Sequence, residues 1–435
     1  VLDLSPSPLI STHQNPHGYY APGVEEADRR AAVAEMMEMT GDFEKPKYFA
    51  YKERLCAHSR NKLVGCTACI DICSAKAISS DGDRVKVNPY LCAGCGACST
   101  VCPSGAMNYA YPSAAHTGSR IKAALRAYFD AGGQEPVLLL HSEGGAPLIE
   151  AVANDAAGGL PGRVIPFALH HTASTGIDVW LAALCYGAAG ITVLTTKADA
   201  PQYGQALDTQ MQVAQTVLDG LGYAGPHFQL LRVASAQELA VAMQHAPRGE
   251  VPAQSATFNL AQDKRNTLDY TLDHLLRHAR QQPETVALPV GAPFGAIVVN
   301  KQTCSLCMSC VGACPTSAVM DTPNAPQLRF VEQNCVQCGL CATTCPENAI
   351  TLVPRMAFGE LRKQTVVLNE SQPFHCIRCS KPFGTVHMIE NMLARLSGHS
   401  AFAGNLERLK MCGDCRVIDM MQPEGELSVP LRRPR

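Results

Sequence analysis

Between residues 136 and 232, short apolar runs alternate with longer stretches of helical period. The segments "PVLLLH", "RVIPFAL", "GITVLTT" and "FQLLRV" are nearly continuous apolar runs of strand length. Between them lie "GAPLIEAVAND", "GIDVWLAALCYGA" and "YGQALDTQMQVAQTVLDGLGY", whose apolar spacing is that of helices. This alternation predicts a parallel sheet covered by helices. Residues 251–292 read as a linker carrying one helix, with Leu268, Leu272, Leu275 and Leu276 on one face turned toward the middle domain. Near the start, "APGVEEADRRAAVAEMMEMTGDF" reads as another helix, its methionines as core contacts. The stretch "VWLAALCYGAAGITVL" at 179–194 comes nearest to a membrane span. It falls short of the ~20 apolar residues required, and its glycines divide it into a buried helix, a turn and a strand.

Composition narrows the class. The 435 residues suggest about three domains. A net charge of −2 with balanced acidic and basic residues argues against nucleic acid as a partner. No secretory signal pattern precedes the first domain, so the expected location is the cytoplasm, with peripheral contact at the inner membrane left open. The chain begins at Val1 rather than Met, which leaves room for a further N-terminal region.

Cysteine changes the picture most. There are 21, and all but Cys185 fall in three clusters, at 56–102, 304–345 and 376–415. Close C-x-x-C pairs without a secretory signal read as metal ligands rather than disulfides. Cys185, in an apolar helix, reads as a small buried hydrophobe. The lines "LCAGCGACSTVCPSGAM", "TCSLCMSCVGACPTSAV" and "NCVQCGLCATTCPENAI" repeat the spacing C-x2-C-x2-C-x3-C-P, and "GCTACIDICSAKAIS" is a damaged copy. Three thiolates two residues apart can wrap a backbone turn around three corners of an iron–sulfur cube. The fourth cysteine is expected to open a short helix pointing away and to serve the neighbouring cube, with proline suiting the first helical position. In the C-terminal pair, Cys304, Cys307 and Cys310 then share one [4Fe–4S] cube with Cys345, and Cys335, Cys338 and Cys341 share another with Cys314. In the N-terminal pair, Cys92, Cys95 and Cys98 take Cys73. The damaged copy has Leu63 where its leading cysteine belongs, so Cys56, across the polar loop "AHSRNKLVG", is expected to join Cys66, Cys69 and Cys102. A three-iron cluster with Cys56 free is the alternative. Ser74 replaces the usual proline.

The tail carries Cys376-x2-Cys379 and Cys412-x2-Cys415, two knuckles that suit one structural zinc. A rubredoxin-type iron or an iron–sulfur cluster on the same four thiols is the alternative. The stretch between them reads as an amphipathic helix. His375, His387 and His399 read as surface residues, and the final "LRRPR" as a solvated tail.

Little else suggests chemistry. The loop "SEGGAP" matches neither a dinucleotide fingerprint nor a P-loop. His170 and His171 follow the second strand, where open sheets place their sites, but a polar loop accounts for them. No catalytic arrangement stands out, so the chain is not expected to be an enzyme by itself.

The paired runs resemble bacterial dicluster ferredoxins. Over most of its length the chain is similar to the iron–sulfur proteins encoded beside bacterial formate dehydrogenases, through "FEKPKYFAYKERLCAHSR", the Cys56 loop, "GITVLTT" and "HCIRCSKPFG…MCGDCR". The middle domain resembles the delta subunit of methyl-viologen-reducing hydrogenase. That family's [2Fe–2S] cluster is not expected here, because only Cys185 is present. The expectation is thus an α+β multidomain chain: an N-terminal extension and helix at 1–45, dicluster ferredoxin domain 1 at 46–112, a Rossmann-like α/β domain at 113–250, the linker at 251–292, ferredoxin domain 2 at 293–358 and a four-cysteine zinc-binding tail at 359–435. The resemblance implies four [4Fe–4S] clusters and electron transfer with a redox partner, a molybdenum or tungsten formate dehydrogenase-type enzyme. An assembly or maturation factor, or a flavin-containing subunit of an electron-bifurcating complex, are the alternatives.

Overall fold

The alternating segments of the middle region do form a parallel sheet. A computed structural model describes residues 1–12, 15–16, 18–41, 44–154, 159–323, 325–397 and 406–421. In chain order, the middle region contains α1 (Ala114–Asp130), β1 (Val137–His141), α2 (Ala146–Ala153), β2 (Val164–Ala168), α3 (Ile177–Cys185), β3 (Gly190–Thr195), α4 (Pro201–Gly220), β4 (Phe228–Arg232), α5 (Ala236–Gln244) and α6 (Lys264–His278). The four strands run in the order β4-β3-β1-β2, every pair parallel. Every residue of β1 and β3 is buried, which is why these strands read as unbroken apolar runs.

Side chains alternate across the sheet and divide the core in two. Leu138 and Leu140 point into a core shared with Leu125, Trp180, Leu184 and Val217, and Val137 and Leu139 into one shared with Val152, Leu239 and Met243. Each such fully buried side chain is worth about 1.5–3 kcal/mol of transfer free energy. Cys185 is among them, fully buried, as its apolar surroundings suggest. The helix at 264–278 belongs to the same core through Leu268, Leu272 and Leu275, and Ala256 and Leu260 join it there. That stretch is therefore structural rather than a loose tether.

Three readings need correction or addition. The N-terminal helix Glu26–Glu38 buries only Ala32, and Met37 is 73% exposed, so its methionines are not core contacts. Two helices, α1 and α5, were not legible in the pattern. The polar loop around Lys62 is a β-hairpin, Ser59–Arg60 against Leu63–Val64, turned by Asn61 and Lys62 at φ 51° and 69°.

The chain divides into two compact units, one of 1–296, 332–340 and 352–364, the other of 297–331, 341–351 and 365–435. In the second, Val319–Thr322, Ala325–Val331 and Thr365–Glu370 form an antiparallel sheet. It also holds the hairpin Pro373–His375/Pro382–Thr385, the helix Val386–Leu396 and the helix Gly413–Met421. His399 and the end of the tail lie outside the described residues. No helix among the described residues is long and apolar enough to cross a membrane.

Candidate metal centres

All four cysteine runs are built alike at their C-terminal ends. The third cysteine of each sits on a five-residue helix: Ala68–Ile72, Ala97–Val101, Ser309–Ala313 or Leu340–Thr344. The fourth cysteine follows the end of that helix instead of opening the next one, a correction to the sequence reading. The proline after it is a helix stop, not a helix start. Three residues past each fourth cysteine the backbone is left-handed, at Lys76, Gly105, Ser317 and Asn348 (φ 51°, 69°, 54° and 49°). This turn brings amides back onto the thiols. Ala77, Ala318 and Ala349 N–H donate to Sγ of Cys73, Cys314 and Cys345 at 3.2, 3.2 and 3.3 Å, and Met107 N–H donates to Cys102 Sγ at 3.3 Å. Amide donors of this kind can hydrogen-bond and orient a metal-bound sulfur.

The N-terminal ends of the runs differ. In the three intact copies the residues on either side of the second cysteine are left-handed: Gly94 and Gly96, Leu306 and Met308, Gln337 and Gly339. A leucine at φ 55° is a genuine departure from the usual map, and such departures cluster where backbone wraps a bound group. The damaged copy lacks this pattern, since Thr67 has φ −115°. Its leading loop is replaced by the hairpin, whose ends are pinned by Gly65 N–H to His58 O (2.7 Å) and Cys66 N–H to Ala57 O (2.9 Å). The buried His58 fixes the same corner, its Nδ1 3.0 Å from Cys66 O and its Nε2 2.8 Å from Ser80 Oγ. The insertion therefore folds back and returns Cys56 to the side of Cys66.

Electrostatics shows which thiols share a neighbourhood. Burial, then Cys102, Cys66 and Cys56, push the Cys69 thiol up to about 12. Burial, then Cys95, Cys92, Cys69 and Cys73, push Cys98 well above the ordinary range. In the second unit, burial, then Cys304, Cys307 and Cys345, push Cys310 up to about 12. Those four thiols line one small cavity with Leu328 and Ile350. Bare thiolates so crowded repel one another, so each group suits a cationic iron–sulfur core whose binding displaces the protons. Of the remaining predicted ligands, Cys335 is buried and Cys338 half-buried in the first unit, while Cys341 is buried and Cys314 half-buried in the second.

The second N-terminal run docks on the parallel sheet. Open sheets of this type bind ligands outside the carboxyl ends of their strands. Here that crevice receives the run itself. A Cβ on Gly96 would lie 2.6 Å from Ser174 Cβ, Thr100 Oγ1 donates to Ala173 O at 2.7 Å, and Gln210 Nε2 donates to Thr100 O at 3.1 Å. From α4, Tyr203 Oη donates to Cys95 Sγ at 3.1 Å and pairs with Ser74 Oγ. His171, after β2, meets the Tyr203 ring edge-on at 5.4 Å and faces Asp199 at 3.5 Å. His170 instead stacks on Tyr48.

Helix α6 ties two runs of the first unit together. Asp263 caps it, accepting from the Arg265 and Asn266 amides. Lys264 Nζ donates to Thr100 O and Ser99 O at 2.6 and 3.2 Å. The next residue, Arg265, donates to Gln333 O and Cys335 O at 2.6 and 3.0 Å and lies over the Phe294 ring. Burial, then the charge of Arg362, lowers Arg265 to about 10, so it stays a cation at neutral pH. Beside this clasp is a cavity of about 370 Å³, with Cys66, Cys102 and Cys338 in its wall.

In the tail, Cys376, Cys379, Cys412 and Cys415 come together with all four Sγ atoms within 4.8 Å of one another. Cys376 and Cys379 sit at the tip of the hairpin, and Cys412 and Cys415 at the start of the helix Gly413–Met421. Burial alone would raise Cys376, but amides of Cys412, Cys379 and Arg378 bring it down to about 6. His375 is exposed, and His387 lies within reach of Asn391, 3.2 Å away. The tail packs on the run of its own unit: Thr385 Oγ1 donates to Ser305 O at 3.2 Å, and Arg395 pairs with Glu347 at 2.5 Å.

Sequence reasoning missed Tyr203, Lys264, Arg265 and His58. The loop "SEGGAP" forms one short turn, Glu143–Gly145, leading into α2. Compared with known proteins, residues 64–106 and 303–350 each match a family of 4Fe-4S dicluster domains. Cys56 lies outside the first match. No curated protein matches the chain. The protein thus carries a 4Fe-4S dicluster domain at each end, a parallel α/β sheet between them and a cluster of four cysteines near the C-terminus, an organisation that supports an iron–sulfur electron-transfer role.

Proposed function

We propose that this chain is a relay of four [4Fe–4S] cubes. The ligand sets are Cys56, Cys66, Cys69 and Cys102; Cys73, Cys92, Cys95 and Cys98; Cys314, Cys335, Cys338 and Cys341; and Cys304, Cys307, Cys310 and Cys345. A cube held by four thiolates supplies one-electron transfer and no group transfer. The third set rests on the run spacing. The other three are supported by the thiol groupings described above.

The observation that carries the reading is the cavity wall shared by Cys66, Cys102 and Cys338. It sets Cys338, in the same compact unit, beside two ligands of the first set, which supports electron exchange between the cubes those cysteines would hold. Lys264 and Arg265 hold the two sides in place by binding main-chain carbonyls of each. The tail thiols serve as a closed zinc site that braces the run beside it. The redox partner is a formate dehydrogenase-type enzyme, a reading supported only by the sequence resemblance.

The test is metal analysis with Mössbauer spectroscopy on protein isolated anaerobically. Four cubes of four irons require about sixteen iron atoms, and the tail site about one zinc. A preparation that is folded, active in transferring electrons and free of iron would overturn the proposal. Co-purification from native cells identifies the partner, and recovery with an unrelated redox enzyme would reject the formate link alone.

A further inference from the structure

The damaged run keeps one more oddity. Its fourth cysteine is followed by Ser74, where the other runs place Pro103, Pro315 and Pro346. The helix Ala68–Ile72 ends there without a proline. Ser74 is buried, 3% exposed, and its hydroxyl pairs with that of Tyr203, itself 1% exposed. A tyrosine hydroxyl has one proton to give. Tyr203 directs it to Cys95 Sγ, so the serine hydroxyl donates to the tyrosine oxygen. The chain runs Ser74 to Tyr203 to Cys95. Its middle member comes from the α/β region, more than 100 residues from either end.

The ring is held for this task from outside the run. His171 packs edge-on against it, and Asp199 anchors His171 while accepting the Thr196 amide at 2.7 Å. His171 and Asp199 follow β2 and β3, so the crevice of the parallel sheet supplies the support.

We propose that Tyr203 is a positioning residue through which the middle domain raises the reduction potential of the cube held by Cys73, Cys92, Cys95 and Cys98. This rests on the ligand assignment above. Reduction adds one electron to the thiolate-bound cube and therefore negative charge to its sulfurs. A donor aimed at a ligand sulfur stabilises that state more than the oxidised one, and more strongly where water is excluded. Ser74 strengthens the donor by occupying the tyrosine oxygen. A proline there could not.

The experiment uses the full chain under anaerobic conditions, with cube number fixed by Mössbauer spectroscopy before each titration. Potentials are read by EPR-monitored redox titration of the parent, Tyr203→Phe and Ser74→Pro. Tyr203→Phe is expected to keep all four cubes and lower one potential by about 59 mV, a tenfold change in its reduced-to-oxidised ratio for one electron. Ser74→Pro should move the same cube in the same direction by less. ENDOR of the 15N-labelled parent in deuterated buffer should show, beside the amide protons that reach the ligand sulfurs, one exchangeable proton not bonded to nitrogen and coupled to that cube. If Tyr203→Phe loses the cube, this parent signal decides: its presence supports the hydrogen bond and its absence overturns it. Four potentials unmoved by both substitutions would overturn the proposal and leave the ligand assignment standing. A parent lacking the cube would overturn the assignment itself.

Discussion

Gly65→Ala tests the place where the N-terminal runs meet the loop of Cys338. Gly65 does not have a left-handed φ, so the substitution is sterically pure. A methyl there would lie 2.6 Å from Leu340 Cγ, 3.0 Å from Leu340 Cδ1 and 2.8 Å from Ala57 O. Neither neighbour yields easily. Leu340 is fully buried, and Ala57 O accepts the Cys66 amide at the base of the hairpin that follows Cys56. Overpacking a filled site costs about 1–3 kcal/mol. Relief by moving Leu340 would draw the loop of Cys338 away from Cys66. Relief by moving Ala57 would displace Cys56. Two readouts follow in the anaerobic protein: the urea concentration at which iron–sulfur absorbance is half lost, and the spin–spin broadening between reduced cubes. The expected result is a lower midpoint with weaker broadening at unchanged iron content, or loss of one cube if Ala57 moves. A stability change within about 0.5 kcal/mol, together with unchanged broadening, would refute the packing argument.

Cys56→Ser should remove or convert only one cube, lowering iron by up to about a quarter, with secondary structure kept; four intact cubes by Mössbauer would refute its ligand role. Cys412→Ser should release the zinc and loosen the tail while iron stays constant, and retained zinc at parental affinity would count against the four-thiolate site. Arg265→Met removes a buried cation that serves two close carbonyls. Charged hydrogen bonds are worth ~1.5–3 kcal/mol each, and relief of the guanidinium's own burial offsets part of that, leaving a loss of about 2–4 kcal/mol in denaturant titration. A variant as stable as the parent would show that the clasp is idle.

Much of this was readable in advance because the signals are local. Cysteine spacing identifies the runs, and unbroken apolar strands announce a sheet buried on both faces. Helix α1 escaped because Gly118 reads as a breaker. It is glycine there because Leu260 packs onto it, 2.7 Å from where a Cβ would be, and that contact lies more than 140 positions away. The spacing predicts the short helix of each run one element late because the proline suits two roles, start and stop, and only the left-handed residue beyond it tells them apart. Tyr203 and Arg265 were illegible for a related reason. Each acts on an atom supplied by a distant run, and neither sits in a motif of its own.

The seam between the second N-terminal run and the parallel sheet bears on modularity. Ile72 and Ala97 share one buried cluster with Ala173, Ala200 and Tyr203. Excising the first iron-binding segment as a free-standing carrier would strip this shared apolar surface and expose it to solvent. The segment is welded to its scaffold, so whatever exchanges electrons with it must approach the whole protein rather than meet a small shuttle in solution.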